Sequence, residues 1–242
     1  MNDITTARLL PGTADERCSA FRRVSPTGGH MSLKAQLDAR QRAFEAGAPP
    51  GIVAALAGSV AELAQTGLVR RAVKAGERAP LFRLRSNTGN FVSLSEALDR
   101  GPVVVSFFRG AWCPFCRLEL QALAESHAEI ERLGAALIGL SPLPNADGCS
   151  TFPILTDPGC RIAARYRIAF TVAVQFRSAY IALGYPERLK KGPDRWLLPL
   201  PATYIIDRNG IVVLSYLDAD YTTRLEPTAI AAALAHLRIR AN

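Results

Sequence analysis

Cys113 and Cys116 stand two residues apart in the run Cys113-Pro114-Phe115-Cys116. Two thiols at this spacing suit reversible oxidation to a disulfide, half of a zinc site, or an inert place in a core. A zinc site needs a second half. Cys149 and Cys160 are too far apart to form another CxxC, and the chain holds only three histidines. An inert pair leaves unexplained why a polar loop joins a buried strand to the two thiols. The setting favours redox chemistry: the apolar run 103–108 reads as a strand, 109–112 as a tight loop, and Cys113 opens a helix. Unpaired N–H groups and the positive end of a helix dipole stabilise a thiolate, and can bring a thiol pKa from ~8.5 into the range ~3.5–7.5. Pro114 suits the first helical position, which puts Cys113 at the cap. Cys116, Leu120, Leu123 and Ile130 then share one stripe, so Cys113 is expected to be exposed and Cys116 covered. Arg109, in the loop, is placed either to stabilise the thiolate or merely to face solvent. His127 shares the Cys116 stripe but lies about 16 Å along a helix, too far for a general base.

The elements that position this pair follow from pattern. Residues 1–30 mix Pro, Gly, Ser, Thr and Arg without period, and are expected to be a disordered extension. Ser32 caps a helix carrying Leu33, Leu37 and Phe44, ending near Gly47; after Pro49-Pro50 a second helix is predicted as far as about Lys74. This helical leader occupies 31–75. The remainder, 76–242, alternates strands and helices, which argues an α/β fold. It begins with a hairpin over 81–92. The strand 103–108 precedes one long helix over 114–132, strands over 135–140 and 152–155, and a short helix near 161–166. Residues 170–194 fit no period, and part of that stretch is expected to be helical. A hairpin about Asn209-Gly210 is predicted with a type I′ turn, and a last helix starts at Pro227. Eleven residues over 141–151 are short for a helical crossover, so an irregular loop holding Cys149 as a spectator is expected.

Composition narrows the function classes. The chain has 242 residues, enough for a sizeable core, and five cysteines, an odd and sparse set that argues against a secreted disulfide scaffold. Reduced thiols and a cytoplasmic location are expected, since the first residues lack an apolar run and no stretch reaches a membrane span. The net charge is +8, but its arginines and lysines are scattered rather than grouped with aromatics, so neither nucleic acid nor membrane is expected as a partner.

The run Phe107-Phe108-Arg109-Gly110-Ala111-Trp112-Cys113-Pro114-Phe115-Cys116-Arg117-Leu118-Glu119-Leu120 resembles the peroxiredoxin-like branch of the AhpC/TSA family. So do Phe152-Pro153-Ile154-Leu155-Thr156-Asp157-Pro158-Gly159, Leu200-Pro201-Ala202-Thr203-Tyr204-Ile205-Ile206-Asp207 and Asp220-Tyr221-Thr222-Thr223-Arg224. The resemblance implies a thioredoxin-like fold, a central mixed sheet flanked by helices, with the helical pair added at its N-terminal side. It implies reduction of hydrogen peroxide or an organic hydroperoxide, a thioredoxin-type reductant and no cofactor; a homodimer is compatible with it.

Family registers usually show Pro-x-x-x-Thr-x-x-Cys followed by Glu. They place Cys116 at the peroxidatic cysteine and Glu119 at the Glu, with Trp112 beside the pair. Cys113 stands where the Thr is usual and Arg109 where the Pro is. The usual pocket Arg falls at Pro201, so the peroxide pocket is expected to be incomplete, and Pro201 resembles the cis-proline of thioredoxins. Helix geometry favours Cys113 as first attacker and the register favours Cys116. A protein disulfide reductase and a redox-sensing interaction module remain as alternative functions.

Overall fold

A computed structural model describes residues 31–144, 150–190 and 195–241. The expected disordered extension and Cys149 lie outside the described residues. Helix α1 (Leu33–Gly47) starts where Ser32 Oγ accepts the N–H of Ala35 at 3.2 Å. Its first turn is capped a second time from across the chain. Glu226 accepts the N–H of Leu33 at 3.2 Å and that of Lys34 at 2.6 Å, filling donors that an isolated helix leaves open. Helix α2 (Pro50–Gln65) is shorter than expected, because Gly67 takes a left-handed φ of 71° and separates it from α3 (Leu68–Arg71).

Strands β1 (Arg83–Arg85) and β2 (Phe91–Ser93) form the predicted antiparallel hairpin, followed by a short helix α4 (Leu94–Leu98) that the pattern did not announce. Central strand β3 (Val103–Phe107) is buried along its whole length. The sheet order is β5-β4-β3-β8-β9, with β4 (Ala136–Ser141) and β5 (Ile154–Thr156) parallel to β3. Strands β8 (Ala202–Ile206) and β9 (Val212–Leu217) are antiparallel to their neighbours. The chain therefore has the mixed sheet that the resemblance implied. Alternation along β3 sends Val103, Val105 and Phe107 into one core, and Val104 and Phe108 into the other, with α5 (Pro114–Glu125).

The long helix predicted over 114–132 is divided at Ser126 into α5 and α6 (His127–Arg132). After α7 (Arg161–Arg165), the ambiguous stretch holds β6 (Ala169–Thr171), which pairs with β7 (Leu197–Pro199), and helix α8 (Arg177–Ala182). The β8–β9 turn is not type I′. Only Gly210 has positive φ, its N–H reaches Asp207 O at 2.9 Å, and Asp207 Oδ1 accepts from Asn209 and Ile211. The aspartate side chain thus stabilises a type I turn ending in a left-handed glycine, and Asn209 needs no positive φ. Helix α9 (Pro227–Ala241) closes the chain against α6.

Candidate active site

The loop between β3 and α5 folds tightly because Gly110 adopts φ 128°; a Cβ there would meet Trp112 Cδ1 at 2.7 Å. Trp112 turns back and its Nε1 donates to Arg109 O at 2.8 Å. Cys113 is the N-cap residue of α5, with Pro114 at the first helical position as predicted. The expected contrast in exposure is absent. Cys113 is 1% exposed and Cys116 0%, because both belong to a core cluster that includes Leu33 and Leu37 of α1, Phe115, Tyr221 and Ile230. The leader helix α1, a remote element in sequence, packs on α5 and contributes Leu33 and Leu37 to that cluster.

Arg109 is 0% exposed rather than solvated. Its carbon Cζ lies over the rings of Tyr221 at 4.4 Å, Tyr180 at 4.8 Å and Trp112 at 5.0 Å. These faces offset part of the cost of burying the charge, but Nε, Nη1 and Nη2 find no acceptor among the described residues. A crevice beside it, too tight to admit a water molecule, is lined by Val60, Leu63, Phe170, Tyr180 and Pro201. No described peptide bond is cis, so Pro201 does not adopt the thioredoxin-type conformation; it lines this crevice.

The guanidinium that the register places at Pro201 comes instead from Arg224, 105 residues beyond Glu119. Arg224 Nε donates to Glu119 Oε2 at 2.6 Å and Nη2 to Cys116 Sγ at 3.4 Å, with both charged side chains 2% exposed. Nη1 donates to the carbonyls of Tyr221 and Thr223, which fixes the group in place. Glu119 is a core residue, not a surface one, and its Oε1 accepts from Ser106 Oγ at 3.2 Å. Arg224, Tyr221, Tyr180 and Ser106 were not foreseen. The segment Asp220-Tyr221-Thr222-Thr223-Arg224 carried family resemblance, yet nothing in its own pattern placed it beside the cysteines.

The electrostatics of the two thiols diverge. Burial pushes Cys113 up, but the hydrogen bond with the Cys116 thiol, the guanidinium charges of Arg109 and Arg224, and the Cys116 backbone N–H lower it to about 5. Cys116 is pushed well up by burial and by the neighbouring Cys113 thiolate. Burial lifts Glu119 to about 7 against the pull of Arg224. Above about pH 7, two guanidinium charges therefore face one thiolate and one carboxylate, and the buried cluster is neutral.

A pH dependence of stability follows. The folded pKa of Cys113 lies below the ~8.5 of an unfolded cysteine, so its contribution is complete above ~8.5 and is lost as pH falls toward 5. Glu119 acts oppositely. The fold retains a proton that the unfolded chain releases, so its share of stability declines as pH rises from about 4.5 to 7. The two slopes offset one another between pH 5 and 7. From pH 7 to 8.5 Cys113 acts alone, and the reduced protein is expected to gain about 2 kcal/mol at most. Urea unfolding at the two pH values measures this rise, and Cys113→Ser is expected to remove it.

Comparison with known proteins agrees with this architecture. The AhpC/TSA family matches residues 75–215, and the chain belongs to that family. Peroxiredoxin Q of Oryza sativa subsp. japonica, a chloroplastic protein, is 30% identical over 145 residues, covering 60% of this chain and 59% of that protein. Chloroplastic peroxiredoxin Q of Triticum aestivum is 29% identical over 154 residues, 63% of each. The match thus spans about three fifths of the length of these relatives. Among solved structures, peroxidoxin BcpB of Mycobacterium tuberculosis superposes with a TM-score of 0.52 at 23% identity, over 69% of this chain and 97% of that one. A cysteine-to-serine mutant of peroxiredoxin 6 of Arenicola marina gives 0.55 at 19%, over 70% and 76%. At these identities the structural likeness establishes the fold.

Proposed function

We propose that this protein is a thiol peroxidase that reduces hydrogen peroxide or an organic hydroperoxide through Cys113 and Cys116 and is regenerated by a thioredoxin-type dithiol. The observation that carries this reading is Arg224, a buried guanidinium that reaches Cys116 and Glu119 and supplies the charge that the register alone had left at Pro201. A thiolate attacking a peroxide bond generates an alkoxide or hydroxide, and fixed guanidinium donors stabilise that developing charge.

Cys113 is the attacking thiol in this reading. It caps α5, and its pKa of about 5 makes it almost wholly thiolate at pH 7. Its sulfur takes the distal peroxide oxygen to become a sulfenic acid, the O–O bond breaks, and the departing alkoxide takes the Cys116 proton. Cys116 then attacks the sulfenic sulfur, and hydroxide leaves as water with a proton from solvent. The pair has lost two electrons, and the peroxide has become an alcohol and water. Arg109, caged by aromatic faces with open N–H groups, holds the thiolate and the peroxide oxygens; Glu119 positions Arg224.

A second reading exchanges the two thiols. The 3.4 Å contact from Arg224 Nη2 to Cys116 Sγ favours Cys116 as the attacker, in agreement with the family register.

The activity is tested by following peroxide consumption with a thioredoxin system as reductant, beside reduction of insulin disulfides. Turnover of peroxide well above the insulin reaction is expected. Efficient insulin reduction without peroxide consumption overturns the peroxidase in favour of a disulfide reductase. The sparse cysteines fit a reducing, cytoplasmic compartment, and fractionation of cells expressing a tagged chain checks that placement.

A further inference from the structure

The segment 221–226 touches two places at once. Arg224 holds Glu119 and Cys116 at one end, while Glu226, two residues on, caps the first turn of α1 through Leu33 and Lys34 N–H. Helix α1 in turn packs on α5, and its Leu33 and Leu37 belong to the cluster that buries both cysteines. Tyr221, on the same segment, stacks on Arg109 and meets Phe115 edge-on at 5.6 Å. One six-residue strip therefore joins the cysteine pair to the anchor of the helix that packs on α5.

Both sulfurs are sealed in this state. A small peroxide can reach them by local breathing, but exchange with a protein dithiol requires a sulfur to be presented to another sulfur along the disulfide axis. Something covering the pair has to move after oxidation and not before.

From this juxtaposition we infer that α1 is a redox-released cover: disulfide formation at Cys113 and Cys116 loosens the 221–226 strip, frees the α1 cap from Glu226, and exposes the α5 face to the reductant. The inference rests on the proposed redox role of the pair. Its driving force is the charge count. The dithiol state balances Arg109 and Arg224 against the thiolate and Glu119, whereas the disulfide carries no charge and leaves one guanidinium uncompensated in a dry site. A disulfide sulfur is also a poorer acceptor for Arg224 Nη2 than a thiolate. Solvating the stranded charge disturbs the 221–226 strip, because Arg224 is part of it and Arg109 lies against its Tyr221 ring. Reduction restores the thiolate, and α1 docks again.

The test is amide hydrogen exchange of the full chain, reduced and after oxidation with diamide, which accepts two electrons and two protons from the thiols and needs no peroxidase activity. Exchange in α1 is expected to rise at least tenfold on oxidation while β3 and β4 keep their protection. Glu226→Gln, which weakens the cap without touching the pair, is expected to raise α1 exchange in the reduced protein as well. A Cys113→Ser/Cys116→Ser protein is expected to show no change with diamide. Equal α1 exchange in both redox states, with mass spectrometry showing a complete Cys113–Cys116 disulfide, overturns the cover. Failure of the peroxide assay together with a diamide-dependent rise removes the peroxidase reading and keeps the cover.

Discussion

Cys113→Ser protein is expected to lose its reaction with the first equivalent of peroxide by a factor on the order of 10³ or more, while Cys116→Ser keeps it. The reason is the fraction of reactive species. A cysteine with an ordinary pKa is only about 3% thiolate at pH 7, and a serine hydroxyl is not ionised at all. Cys113 sits at the cap of α5 under two guanidinium groups with its pKa near 5, whereas Cys116 remains a thiol. Cys116→Ser then accumulates sulfenic acid at Cys113, because no neighbouring thiol remains to condense with it. Trapping with a dimedone-type reagent and locating the adduct by mass spectrometry reads this directly. An adduct at Cys116 in the Cys113→Ser protein, with none at Cys113 in the reciprocal variant, reverses the order and makes the Arg224 contact the decisive one. The same experiment maps the disulfide of the wild type, for which a Cys113–Cys116 bridge is expected.

The second large effect is expected at Arg224. Arg224→Met removes a guanidinium from a site where both partners are 2% exposed, leaving Glu119 buried beside Ser106 without its counter-charge. Breaking one side of a buried pair costs about 3–5 kcal/mol, which for a chain of this size lowers the melting temperature by roughly 6–20 °C. Glu119 responds by keeping its proton to higher pH, since burial is already the largest influence on it. The reactive thiol loses one of its two guanidinium neighbours, so its pKa rises and peroxide reactivity at pH 7 falls. The double change Arg224→Met with Glu119→Gln separates the two effects. Most of the stability is expected to return, because no buried charge is left unpaired, but the thiol pKa stays high. Thermal unfolding and the pH profile of alkylation at Cys113 are the two measurements. Recovery of both in the double variant shows Arg224 to be a structural residue only.

Much of the scaffold was legible because local patterns agreed with it. The all-apolar run before the CxxC is buried along the strand Val103–Phe107, and Pro114 opens the helix that Cys113 caps. Ser32 starts α1, strand and helix alternate as the pattern indicated, and the sheet has the mixed order that the family resemblance implied. Errors came where a single side chain or angle decides. The left-handed Gly67 divides a helix whose apolar period runs on, and Asp207, not Asn209, stabilises the β8–β9 turn.

The sequence by itself determined where the cysteine pair would lie, at the junction of a buried strand and a helix start, since both follow from neighbours in the chain. Only the tertiary structure decided how that dithiol is charged and covered. Arg224 and Glu119 are 105 residues apart, and Glu226 and Leu33 are 193 apart, so no local period links them. Their pairing is set by where α9 packs on α6 and α1 packs on α5. Burial is a property of the whole assembly of elements, and the same arginine that a loop exposes to water in one context is here sealed among Trp112, Tyr180 and Tyr221. The strength of a buried charge depends on how much water is excluded around it, and that is settled by distant residues brought together on folding.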